Sequence, residues 1–244
     1  MRHYLSCARQ KVRFGAATEH VIHLSIIRRR ARTDERTNAP MGSALGKVTE
    51  EQPRYEVCGR STDGSYEVRA YEPCCVIETS YAAKKMVGGD QGGSFMALAR
   101  YIGVMSKPEN ARREKIAMTA PVFMAPSGTA AEEYVMQFVL PKSKYARGAA
   151  DAPEPKYGSK VVVVKDLPAR LMAVRRFSGR MCDDRIASES AALREALAAD
   201  GRVAVNGAKI QYAGYNPPWT PGPLRTNEVM IEIQSAPNVE AAAA

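Results

Sequence analysis

The residues that could carry chemistry are few, and their spacing does not favour catalysis. All three histidines, His3, His20 and His23, fall near the start of the chain, and no histidine follows Pro40. A Ser-His-acid triad and a histidine-ligated zinc both need an imidazole, so neither can be built after that point. Five cysteines stand at 7, 58, 74, 75 and 182. Cys74 and Cys75 are adjacent, and neighbouring strand residues point to opposite faces. The expectation is one buried and one exposed thiol rather than a chelating pair. The acidic pairs Glu132-Glu133 and Asp183-Asp184 are also adjacent in sequence, so they do not converge on one point. Asp183-Asp184 suits the positive end of a helix instead. The glycine cluster Gly88-Gly89-Asp90-Gln91-Gly92-Gly93 lacks the spacing of a phosphate loop. No catalytic residue and no metal ligand emerges, and a binding role is expected in place of an enzyme.

Composition agrees with a folded, water-facing chain. Of 244 residues 45% are hydrophobic and 25% charged, an ordinary balance for a globular protein with a sizeable core. No run of 18 apolar residues suggests a membrane span. The net charge of +9 is uneven: residues 1–40 hold nine Lys or Arg against three acids. That segment is Arg-rich, with an apolar patch around Val21 to Ile27, and suits an organellar targeting peptide or a disordered extension. Met41-Gly42 resembles a second beginning. Arg28-Arg29-Arg30-Ala31-Arg32 has no interleaved aromatics, so no nucleic-acid partner is expected. The odd cysteine count argues against a disulfide framework. The expected setting is cytoplasmic, or the chloroplast or another organelle if residues 1–40 direct import.

The elements that must position any site follow from periodicity. Tyr66–Arg69 and Val76–Tyr81 alternate as strands. Residues 93–105 place Phe95, Met96, Leu98, Ala99, Ile102 and Met105 at helical spacing, with Ser94 as the expected N-cap. Ala117–Met124 is extended, and Pro121 favours an edge or a bulge. Glu133–Leu140 is a strand, and residues 142–158 resemble a linker or long surface loop. Lys160–Val164, Leu171–Phe177, Ala204–Gly207, Ile210–Tyr215 and Val229–Ile233 are strand-like, and Ile186–Leu197 is helical. Two passes, about 65–141 and 160–233, share one order. The expected fold is α+β: a distorted antiparallel β-barrel of two similar strand-helix-strand-strand halves with two flanking helices. It occupies residues 41–236, and 237–244 form a disordered tail.

Six blocks in order resemble the SOUL heme-binding protein family, in particular its plant and algal members. They are Met41 through Tyr55, Tyr66-Glu67-Val68-Arg69, Phe95 through Gly103, Lys107-Pro108-Glu109-Asn110 with Glu114 through Val122, Tyr215-Asn216-Pro217-Pro218-Trp219-Thr220, and Arg225 through Ile231. The resemblance implies a monomer that binds heme or free porphyrin reversibly in a shallow cleft beside the first helix, for tetrapyrrole transport, buffering or scavenging. Carried over residue by residue, it implies an apolar wall of Phe95, Leu98, Ala99 and Ile102, with Trp219 in the cleft. Arg100 is placed to pair with a propionate. Ala99 stands where relatives have Met, which thins the wall, and Thr220 replaces a cation.

Without a histidine in the matched region, iron ligation would fall to Cys, Met or Tyr. Heme and protoporphyrin IX are therefore both expected ligands, held by burial and propionate pairing. A cleft removing ~200 Å² of apolar surface supplies ~5 kcal/mol before association costs, which suits reversible carriage. The challenger from another class is a non-enzymatic effector-binding or protein-interaction module on the same fold.

Overall fold

The computed structural model describes residues 47–87, 91–104, 106–128, 132–156 and 162–235. The chain divides into two units, residues 1–42 and 43–244, and every described residue belongs to the second. The expected targeting segment and the tail after residue 236 lie outside the described residues.

Among the described residues nine strands form one antiparallel sheet. They are β1 (Tyr55–Arg60), β2 (Glu67–Tyr71), β3 (Cys74–Ala82), β4 (Val122–Pro126), β5 (Glu133–Val139), β6 (Val163–Leu167), β7 (Arg170–Phe177), β8 (Gln211–Gly214) and β9 (Asn227–Glu232). Helix α1 (Gln91–Ile102) follows β3, and α2 (Asp183–Ala199) follows β7. The strand order is β1-β2-β7-β9-β8-β4-β5-β3-β6. Exchanging β2 with β6, β3 with β7, β4 with β8 and β5 with β9 reverses the β2-to-β6 order and otherwise leaves it unchanged. The two halves are thus related by an approximate twofold between β4 and β8, and each hands its first strand to the other: β2 pairs with β7, and β6 with β3. The expected α+β architecture of two similar halves is the observed one. Each half carries one strand more before its helix than the strand-helix-strand-strand order anticipated.

Period-two alternation gives the sheet two apolar faces. Cys75, Ile77, Met136, Phe138, Ala173, Val229 and Ile231 pack under the helices with Leu98, Ile102, Ile186, Leu193 and Leu197. Val76, Phe123, Val139, Met172, Val174 and Met230 form a second cluster on the opposite, concave face of the curled sheet. Burial of each large aliphatic side chain contributes roughly 1.5–3 kcal/mol, so this two-sided core outweighs the modest helix propensity of the sequence.

Several local expectations are corrected. Strand β1 falls outside the segments whose periodicity suggested a strand. It is an edge strand and mostly exposed, so it shows no alternating burial. Pro121 does not mark an edge: β4 is central, between β5 and β8. The proline, in a cis peptide with Ala120, precedes the strand and removes no ladder bond. Ser94 is not the cap of α1. The helix begins at Gln91, and Ser94 is buried in its first turn. Residues 204–207 make only a bridge, Ala204 to Ile233. The 142–156 stretch is a packed loop, with Tyr145 and Ala152 buried and a bridge from Asn110 to Pro155.

Candidate functional site

Helix α1 is held by the residues expected to line a ligand. Leu98 and Ala99 are 0% exposed and Ile102 is 1% exposed, and Leu98 and Ile102 pack with the sheet residues beneath the helix. Leu98 and Ile102 share one face at i, i+4 spacing. The helix ends at Gly103, whose φ of +77° gives the left-handed C-terminal turn. A Cβ there would stand 2.4 Å from the Pro108 ring, so glycine is required by both conformation and space. Asn110, also buried, then ties the chain back. Its amide donates to the carbonyls of Tyr101 and Glu114, and its oxygen accepts from the Glu114 N–H. Asn110 is therefore a buried joint between the end of α1 and the following loop.

Phe95 is half-buried and meets Phe138 edge to face at 5.2 Å. Arg100 is exposed on the outer flank, with no side-chain ion pair among the described residues. Trp219 sits on the β8–β9 loop and is 82% exposed. That loop is nevertheless well tied. Arg225 donates to the carbonyls of Thr220 and Pro218, the Thr226 N–H donates to the Asn216 side chain, and the Gly179 N–H donates to the Gly222 carbonyl. Thr220, which stands in place of an expected cation, is buried. The structure thus gathers Phe95, Leu98, Ala99, Arg100 and Ile102 on one helix and places Trp219 on a separate loop. No hydrogen bond or ring contact joins Trp219 to α1 among the described residues. Leu98, Ala99 and Ile102 anchor the helix, whereas Phe95, Arg100 and Trp219 offer surface.

Sequence reading missed the concave face. At one end Glu228, fully buried, accepts from both guanidinium nitrogens of Arg69, from Arg176 and from the Tyr215 hydroxyl. Arg69 also pairs with Glu67 at 2.9 Å and lies over the Tyr55 ring. Burial opposes the Arg69 charge, but the Glu228 carboxylate and its hydrogen bonds hold the guanidinium pKa above its usual value. Burial, then the Glu228 charge, pushes Tyr71 up to about 12. At the other end a hydrogen-bonded row crosses the strands. Lys165 pairs with Glu78 at 3.2 Å, the Gln137 amide donates to Glu78 at 2.5 Å, and the Gln211 amide donates to the Gln137 oxygen at 3.3 Å. A cavity of about 240 Å³ opens beside this row. These residues are far apart in sequence, and only the alternation of each strand hinted at their common face.

The adjacent thiols turn to opposite faces as alternation predicts, but Cys74 is not exposed as expected. Cys75 is buried toward the helices and Cys74 is half-buried toward the concave face, while Cys58 and Cys182 are exposed. Burial, reinforced by the Asp166 charge, pushes the Cys75 thiol up to about 12. Only the thiolate reacts appreciably. Labelling the folded protein at pH 8 with a thiol reagent should therefore modify Cys58 and Cys182 and spare Cys75 until denaturant is added. Prompt modification of Cys75, read by peptide mass, would contradict this burial. Among the described residues no group of three or more His, Cys, Asp or Glu stands together to hold a metal, and no helix is long and apolar enough to cross a membrane.

One antiparallel sheet of two strand-exchanged halves, with two helices on one face and an exposed tryptophan loop, defines a two-half α+β fold. The chain belongs to the SOUL heme-binding protein family, whose sequence model matches residues 50–232. No curated protein matches the chain. Among solved structures, an uncharacterized conserved protein from Listeria innocua aligns with a TM-score of 0.50 at 9% identity, covering 72% of this chain and 94% of its own. A hydrolase from the same organism aligns at 0.47 and 8% identity, over 72% and 94%. The EcmrR C-terminal domain aligns at 0.47 and 11%, over 75% of this chain and 99% of that domain. At such identities the first of these supports the fold alone.

Proposed function

We propose that the protein binds heme and metal-free porphyrins reversibly on its outer surface, using Trp219 and the exposed flank of α1, and so serves tetrapyrrole transport, buffering or scavenging. The observation that carries this reading, beside family membership, is Trp219. It is a large aromatic held out at 82% exposure by a loop that is otherwise tied down. An ordered, exposed tryptophan offers a flat apolar face at little entropic cost, which suits a macrocycle. Phe95 adds a second ring edge, and Arg100 supplies a free guanidinium for a propionate. Leu98, Ala99 and Ile102 support α1 from beneath.

Without histidine in the matched region, iron ligation contributes little. Hemin and protoporphyrin IX should then bind within about tenfold, or ~1.4 kcal/mol. Trp219→Ala and Arg100→Glu should each weaken both ligands by about tenfold or more with thermal unfolding unchanged, followed by Soret titration beside the parent protein. Tight hemin binding with no protoporphyrin binding would instead assign a Cys, Met or Tyr ligand. Unaltered affinity in both variants would remove this surface from consideration.

We further propose that the protein acts as a monomer, without a nucleic-acid partner, in the cytoplasm or in an organelle reached through residues 1–40. Fluorescent fusions beginning at Met1 and at Met41 test the destination. Import of only the longer form supports targeting, and identical cytosolic distribution excludes it.

A further inference from the structure

We infer that the open end of the concave face is a second ligand site, for a small carboxylate that also carries a hydrogen-bond donor: an α-hydroxy or α-amino acid. Its cavity of about 240 Å³ is below the ~300–1,000 Å³ of pockets that enclose drug-sized molecules. A tetrapyrrole does not fit, so this site is separate from the porphyrin surface.

The first observation is a directed row of amides. The Glu78 carboxylate can only accept, so Gln137 must turn its amide nitrogen toward it. The Gln137 oxygen then faces Gln211, which must likewise present its nitrogen. The row therefore ends on the Gln211 oxygen, which is buried and has no partner among the described residues. Gln211 is 7% exposed and lines the cavity. A buried acceptor left unpaired is costly, and a donor seated in the cavity that the Gln211 side chain lines would relieve it.

The second observation is charge. Lys165 is committed to Glu78. Arg170 and Lys209 line the same cavity and have no ion pair among the described residues; Arg170 lies only over the Phe123 ring. Glu232 is the one lining acid outside the Lys165 pair. Two free cations against one free acid favour an anionic group beside Arg170 and Lys209, with a hydroxyl or ammonium directed at the Gln211 oxygen. An ammonium would gain Glu232 as well.

The opposite end shows why a cavity exists here. Lys165 is the third residue of β6, as Arg69 is the third residue of β2. Ser127 follows the last residue of β4, as Tyr215 follows the last residue of β8. Where Tyr215 fills its end and caps Glu228, the smaller Ser127 stands at the rim of the open end. One end of the twofold is sealed by the chain's own side chains, and the other leaves the space for a ligand.

Chemical-shift titration of the full chain with glycolate, glycine and acetate tests the assignment. Glycolate or glycine should shift the Gln211 side-chain amide saturably, and the stronger of the two identifies a hydroxyl or an ammonium as the donor. Acetate, which has no donor, should bind about tenfold more weakly, equivalent to ~1.4 kcal/mol. Gln211→Leu should erase that difference. Lys209→Ala, an exposed change that leaves the fold intact, should weaken all three. Hemin affinity should stay unchanged in both variants, which separates this site from the porphyrin surface. Absence of a saturable shift, equal binding of acetate and glycolate, or undiminished binding to Lys209→Ala would each overturn the proposal.

Discussion

Glu228→Ala is expected to lower the unfolding free energy by about 3–5 kcal/mol, because it leaves the Arg69 guanidinium buried without its main counter-charge. Glu228 is 0% exposed and Arg69 2% exposed. The change also orphans the Tyr215 hydroxyl, which donates to that carboxylate at 2.7 Å. Glu67 retains its contact with Arg69 but is itself partly solvated, so its attraction is screened and cannot replace Glu228. Replacing both partners, with Arg69→Met and Glu228→Met, should recover most of the loss, since an apolar pair carries no desolvation penalty. Urea unfolding of the two variants beside the parent protein measures both effects. A loss below about 1 kcal/mol in Glu228→Ala would mean that water reaches this end of the sheet.

Leu98→Ala separates the two roles that α1 could serve. Leu98 is fully buried against the sheet, so the substitution should leave a cavity and cost about 2–5 kcal/mol. Hemin affinity per folded molecule should change by less than about tenfold, because the side chain faces away from solvent. The opposite pattern, a large affinity loss at nearly constant stability, would make Leu98 a ligand contact and require α1 to lift from the sheet on binding. Read beside Trp219→Ala, the pair distinguishes a residue that builds the fold from one that meets the porphyrin.

The elements whose apolar residues form strand-length runs or recur at helical spacing were legible: β3, β5, β7, β9 and both helices, although β5 and β9 are buried in continuous stretches rather than in alternation. The two-half order also showed through. Strand β1 escaped because an edge strand with both faces mostly exposed has no period to detect. The buried Glu189 on α2 was equally hidden, since a carboxylate in a helix face resembles a solvated one until Arg175 and Arg185 are seen to flank it. At the candidate surface the sequence identified the right helix but could not say which of its faces was free. Leu98, Ala99 and Ile102 have the same chemistry as a porphyrin wall and as a core stripe, and only their burial distinguishes the two. The signature residues Asn110, Asn227 and Glu228 proved to be buried polar joints, which explains how motif blocks can identify the family while saying little about ligand contacts. The concave cavity left no local trace, because Glu78, Gln137, Lys165 and Gln211 meet only through the sheet.

The exchange of first strands constrains how the molecule is made. Synthesis runs from β1 onward, yet β2 waits for β7, and β3 waits for β6 to cover its outer edge. The last of the described strands, β9, lies near the middle of the sheet, between β7 and β8. A nascent chain lacking it has open strand edges where the finished protein has a ladder, and open edges invite pairing with other chains. Assembly is consequently dominated by sequence-distant contacts and should be slow for a domain of this size. It is completed only after the C-terminal strand has left the ribosome, so a premature stop that removes β9 forfeits the centre of the sheet rather than trimming its margin.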